Sequence, residues 1–88
     1  MRMIIDVREP KEYASGHVAG AINIPPSDIL AGATQLADID KSTEIIIYCL
    51  SGARSSSSIN ILQGMGFTNL INGINKEQVA KHYNLELE

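Results

Sequence analysis

The sequence predicts an α/β domain, a small parallel β-sheet of about four strands flanked by helices. Three observations carry this reading. Short runs rich in Ile and Val alternate with segments whose apolar residues recur at helical spacing. The central strand, Glu44 to Tyr48, carries the apolar run Ile45 to Tyr48 without alternation, as expected of a strand covered on both faces. It leads into the loop Cys49-Leu50-Ser51-Gly52-Ala53-Arg54, after which a helical pattern begins. A strand, a glycine-containing loop and a helix start are how parallel α/β folds bind anions and present nucleophiles.

The elements follow in order. Met3-Ile4-Ile5 reads as a short buried strand leading into Asp6-Val7-Arg8. Pro10 suits the first turn of a short helix through Tyr13, and Gly16 suits a left-handed exit. Ala21 to Ile24 is a second strand, stopped by Pro25-Pro26. Ser27 is placed to cap a helix whose Ile29, Leu30, Ala33 and Leu36 share one face. Asp38 to Ser42 is polar and reads as a turn. The helix after the Cys49 loop carries Ile59, Leu62 and Met65 at helical spacing. Gly66 fits its C′ position, with Phe67 packing on Leu62. Thr68 to Ile71 reads as a further strand. A last helix starts at Asn75, with Gln78 completing a capping box and Ile74 and Val79 forming a hydrophobic staple. Strands alternating with helices imply βα units around a parallel sheet.

Eighty-eight residues make one domain, 1–88. A net charge of −3 without a basic stripe argues against nucleic acid as a partner. No apolar run approaches the roughly 18 residues of a membrane span. Met1-Arg2-Met3 runs straight into a strand without a signal peptide. The expected compartment is the cytoplasm as the sequence stands, or the periplasm if a leader has been removed. A single cysteine excludes an intramolecular disulfide scaffold and a multi-cysteine zinc site. With His17 and His82 far apart in sequence, no metal is expected, nor any cofactor, and the chain is expected to be a monomer.

The loop is the chemical centre of the sequence. Successive amides turning from strand to helix form a nest that favours negative charge, aided by the helix N-terminus. Gly52 permits the positive φ such a turn needs, and Ala53 keeps it uncrowded. Arg54 adds a permanent cation able to fork onto an oxyanion. A free thiol with a pKa of about 8.5 is only a few per cent thiolate at pH 7. A helix dipole moves that by about one unit, so amide hydrogen bonds and Arg54 must supply the rest. An inert buried cysteine at a strand end would share this placement, since free Cys is among the most buried residue types.

Read together, Ile5-Asp6-Val7-Arg8, Glu12-Tyr13, Gly16-His17-Val18-Ala19-Gly20-Ala21-Ile22-Asn23-Ile24-Pro25 and Tyr48 to Ser55 resemble a rhodanese domain. The likeness extends through Met65-Gly66-Phe67 and covers Ile4 to about Gly73, in the manner of the small single-domain rhodaneses. It implies a rhodanese-like fold and a thiosulfate sulfurtransferase. Cys49 matches the family nucleophile, which takes sulfane sulfur as a persulfide. Leu50, Ser51, Gly52, Ala53 and Arg54 match the loop that cradles persulfide and donor. The implied partners are a small anionic sulfur donor and a nucleophilic acceptor, cyanide or a thiol. Four residues separate Cys49 from Arg54, the shorter form of the loop. Phosphatase and arsenate-reductase relatives use one residue more, which favours sulfur transfer. A sulfur-carrier or regulatory module is the alternative reading.

Three features depart from the family pattern. Its usual preceding strand and helix are missing from the sequence. Asn72-Gly73-Ile74-Asn75 replaces the usual Gly-Gly-x-x-x-Trp segment, and no tryptophan occurs anywhere. Ser55 to Ser58 is a poor helix start by propensity. Asp6 and Arg8 are expected to be structural ions holding the strand end to neighbours such as Glu12. His17 is expected to pack and hydrogen-bond rather than act as a base. Ser51 and Ser55 suit either anion binding or helix capping. Tyr48 is expected to pack at the strand end, and His82 to lie on the surface.

Overall fold

Strand β3 (Glu44–Cys49) is the axis of the sheet, and five of its six residues are buried. In the computed structural model, which describes residues 2–88, it lies between β1 (Arg2–Asp6) and β4 (Leu70–Asn75). β2 (Ile22–Asn23) pairs with the far side of β1, giving a four-stranded sheet in the order β2-β1-β3-β4 with every pairing parallel. Alternate residues of β3 build two cores. Ile45, Ile47 and Cys49 pack with Ile29, Leu36, Leu62 and Phe67 on one face, whereas Ile46 and Tyr48 pack with Val18 and Val79 on the other. The absence of alternation in the sequence thus reflects burial on both sides.

Helices α1 (Pro10–Ala14), α2 (Pro26–Leu30), α3 (Ala53–Gly64) and α4 (Lys76–Tyr83) flank the sheet. The end of α3 is a Schellman motif as expected. Gly66, at φ 102°, donates to the Gln63 carbonyl, and Phe67 donates to that of Leu62. At α4 the Asn75 side chain accepts from the Gln78 amide at 2.8 Å.

The structure differs from expectation in three elements. The helix expected from Ser27 through Leu36 stops at Leu30, and Pro25 rather than Ser27 stands at its N-cap. Gly32 and Ala33 take positive φ, and a 3₁₀ turn covers Thr34–Leu36. This break brings Ala33 and Leu36 into the core beside Ile29 but leaves Leu30 exposed. The second strand shrinks from Ala21–Ile24 to two residues. The last strand starts at Leu70 and runs to Asn75, because a bulge lets it continue. Ile47 pairs with Asn72 but Tyr48 pairs with Ile74, so Gly73 is the extra residue. A Cβ at Gly73 would overlap Val79 and come within 3.0 Å of the Ile46 side chain, so only glycine fits there.

Candidate active site

β3 delivers Cys49 to the C-terminal edge of the sheet, and after three intervening residues the chain enters α3. Gly52 makes the turn as the N-cap of α3, with φ 92°. A side chain is strained at that angle, which is the local reason for glycine. The Cys49 residue is 1% exposed. Its Sγ receives the Gly52 amide at 3.2 Å and lies 3.5 Å from Ser55 Oγ. Burial pushes the thiol pKa up, but the Ser55 hydroxyl and the amides of Ser55, Ser51 and Gly52 outweigh it, bringing the pKa from 9.0 down to about 7. About half of the sulfur is then thiolate at neutral pH.

The loop residues take distinct places. Leu50 and Ser51 are exposed, Gly52 is buried, and Ala53 is the exposed first residue of α3. Ser55 is the third residue of α3 and is fully buried; with Gly52 at the N-cap, Ser55 neither caps α3 nor faces solvent. The serine run thus forms helix despite its propensity. Ser55 and Ser58 face inward, and Ser58 Oγ donates to the Arg54 carbonyl. Their small side chains let α3 lie close to its neighbours.

Arg54 differs from expectation. Its fork is engaged by Glu12, with Nη1 donating to Oε1 at 2.7 Å and Nη2 to Oε2 at 3.0 Å. The Arg54 guanidinium, with the Glu9 amide, holds the Glu12 carboxyl down at about 2. A bidentate pair of this kind fixes both position and orientation. Arg54 therefore faces the site with its fork already occupied by a carboxylate.

Asp6 and Arg8 form a buried structural pair, but Glu12 is not their partner. Arg8 Nη2 donates to Asp6 Oδ2 and to the Gly16 carbonyl, each at 2.6 Å. Asn23 donates to the Asp6 and Arg8 carbonyls and ties β2 to this corner. His17 stacks on Tyr13 with centroids 3.8 Å apart, and its ring nitrogens meet the Tyr13 carbonyl and the Glu88 carboxylate. None of its contacts is to Cys49. Tyr48 is buried, and its hydroxyl accepts from the Val18 amide at 3.1 Å. His82 is exposed.

Two residues at the site were not read from the sequence. Glu12 sits in the capping box of α1, and nothing local to it points 42 residues away to Arg54. Asn72 lies in the segment that departs from the family pattern, and that departure was the available signal. Its side chain bonds Ser55, Gly52 and Ile74, so it touches the loop from β4.

A parallel sheet that ends in a cysteine, an amide nest and a helix start defines a class, and the comparisons agree with it. The chain belongs to the rhodanese-like domain family, whose model matches residues 1–76. It is 36% identical over 76 residues to thiosulfate sulfurtransferase PspE of Escherichia coli (strain K12), covering 86% of this chain and 72% of that one. It is 38% identical over 69 residues to putative sulfur carrier protein YrkF of Bacillus subtilis (strain 168), covering 78% of this chain but only 36% of that one. Among solved structures, a rhodanese with anions from E. coli aligns at a TM-score of 0.84 and 32% identity, covering 100% of this chain and 98% of that one. The four-stranded parallel sheet with flanking helices is the rhodanese fold.

Proposed function

We propose that this chain is a sulfurtransferase that moves sulfane sulfur from thiosulfate, or a similar anionic donor, through a persulfide on Cys49 to cyanide or a thiol. The observation that carries the proposal is the seating of Cys49 Sγ. It lies at the start of α3, receives the Gly52 amide and holds a thiol pKa of about 7.

In the first step the Cys49 thiolate attacks the outer sulfur of thiosulfate. A new S–S bond forms, the donor's S–S bond breaks, and sulfite leaves with the electron pair. In the second step cyanide or a thiolate attacks the outer sulfur of the persulfide, and Cys49 leaves as thiolate. This is covalent catalysis with ping-pong kinetics. The amides of Ser51, Gly52 and Ser55 stabilise the charged sulfur, and Arg54 supplies positive potential through the N–H groups outside its pair with Glu12.

Incubation with millimolar thiosulfate should add about 32 Da, one sulfur, at Cys49. Thiocyanate should then form on adding cyanide, and Cys49→Ser should abolish both. A chain that remains unmodified rules the proposal out. The similarity to a sulfur carrier favours one second reading, a module that takes sulfur from a partner protein. That reading requires persulfide formation with negligible steady-state thiocyanate production.

A further inference from the structure

Asn72 is held in one orientation by two backbone groups whose roles cannot be exchanged. Its Oδ1 accepts the Ile74 amide at 3.0 Å, and its Nδ2 donates to the Gly52 carbonyl at 3.1 Å. An amide N–H only donates and a carbonyl only accepts, so the side chain cannot flip. Ser55 Oγ lies 2.7 Å from Asn72 Oδ1. The contact requires a proton, and Ser55 has the only one to give. A serine hydroxyl has a single proton, so Ser55 turns a lone pair toward Cys49 Sγ, 3.5 Å away. That arrangement suits a neutral thiol, which can donate to Ser55. It opposes a thiolate, which needs a donor there.

The geometry points to Asn72 as a positioning residue that competes with the Cys49 thiolate for the Ser55 hydroxyl proton. When Cys49 is a thiol, Asn72 keeps the proton. When Cys49 ionises, the hydroxyl must rotate away from Asn72 to donate to Sγ, so Asn72 holds back ionisation. The contact also bears on sulfur loading. In a persulfide the charge sits on the outer sulfur, and the hydroxyl can return to Asn72.

The charged groups around the sulfur do not supply this effect. Arg54 on α3 is the cation that responds to Cys49, and Glu12 of α1 holds it. Asp6 and Arg8 at the end of β1 hold each other. The β4 residues at this end, Asn72 and Asn75, carry no charge.

The inference rests on the proposed function only in taking Cys49 as the reacting sulfur. Its readout is the pH dependence of Cys49 alkylation by iodoacetamide, which needs no sulfur transfer, so either reading can fail alone. Asn72→Ala should release the Ser55 proton to the thiolate and lower the alkylation midpoint by about half a unit to one unit, roughly a threefold to tenfold change in ionisation. Asn72→Leu, which keeps the volume without donor or acceptor, should do the same. In a Ser55→Ala background neither replacement should move the midpoint. In the unsubstituted protein the Asn72 side-chain amide resonances should titrate with Cys49, and Ser55→Ala should abolish that response. If Asn72 only braces the loop through Gly52, its loss raises the midpoint, with or without Ser55. An upward shift, no shift, an equal shift in the Ser55→Ala background, or an amide signal that ignores Cys49 ionisation overturns the inference.

Discussion

Taking a thiol out of water favours its neutral form, so a buried cysteine with a lowered pKa has to be compensated by specific donors. At Cys49 those donors are the amides of Ser51, Gly52 and Ser55, joined by the Ser55 hydroxyl once it turns from Asn72 to the ionised sulfur. The alkylation rate of Cys49 should therefore rise through a midpoint near pH 7 and level off above it, rather than near the value of about 8.5 for an unassisted thiol. A stopped-flow profile with iodoacetamide checks this, and a midpoint above 8.5 contradicts it. Glu12 is the second residue that matters at this scale. Glu12→Gln keeps the shape but removes the charge that engages the Arg54 fork. For a partly exposed pair the cost should be about 0.5–1 kcal/mol, measured by urea unfolding.

The elements that hold the site depend on where the chain bends. Gly73 lets β4 bulge between its pairings with Ile47 and Tyr48, which places Asn72 against the loop. Gly73→Ala would drive a methyl group into Val79 and crowd Ile46. Overpacking of this kind costs about 1–3 kcal/mol, so Tm should fall by roughly 5–20 °C in a domain of this size. A Tm within 2 °C of the parent would show that the bulge relaxes freely, where about 4–8 °C per kcal/mol is the rule. α3 illustrates the opposite lesson. Its serines have modest helix propensity, yet contact with the sheet and the Schellman ending at Gly66 and Phe67 hold twelve residues in helix.

For the whole molecule, the sheet divides the apolar interior into two cores, and β3 contributes to both. Ile47→Ala should cost about 2–5 kcal/mol, a large share of the roughly 5–15 kcal/mol that stabilises a domain. Acid should act through the ion pair that joins α1 to α3. The Glu12 carboxyl falls from 4.5 to about 2 on folding, so its contribution is complete above pH 4.5 and is lost as pH falls toward 2. Stability measured from pH 5 to 2 should decline less steeply in Glu12→Gln than in the parent. Equal slopes would show that other carboxylates carry the acid response.

Much of this was legible in the residues. The strand runs, the both-faces burial of β3, the Gly66–Phe67 ending and the order of motifs around Cys49 are local patterns, and local sterics and hydrogen bonding produce them wherever the chain folds. The break at Gly32 and Ala33 was not legible, because Ile29, Leu30, Ala33 and Leu36 satisfy helical spacing whether or not the helix continues. The partner of Arg54 was not legible either. Glu9 and Glu12 both lie near the start of α1, and only the assembled fold selects Glu12.

The sequence by itself determined the class of fold, the lone cysteine at a strand end and the amide-rich turn after it, since each rests on neighbours along the chain. Tertiary structure alone decided what surrounds that sulfur. It set Glu12 on Arg54 across 42 positions and Asn72 on Ser55 across 17, both contacts between elements that meet only when the sheet is assembled. Side-chain hydrogen bonds need their partners within about 3 Å, and no pattern of spacing within one element can specify that distance to another.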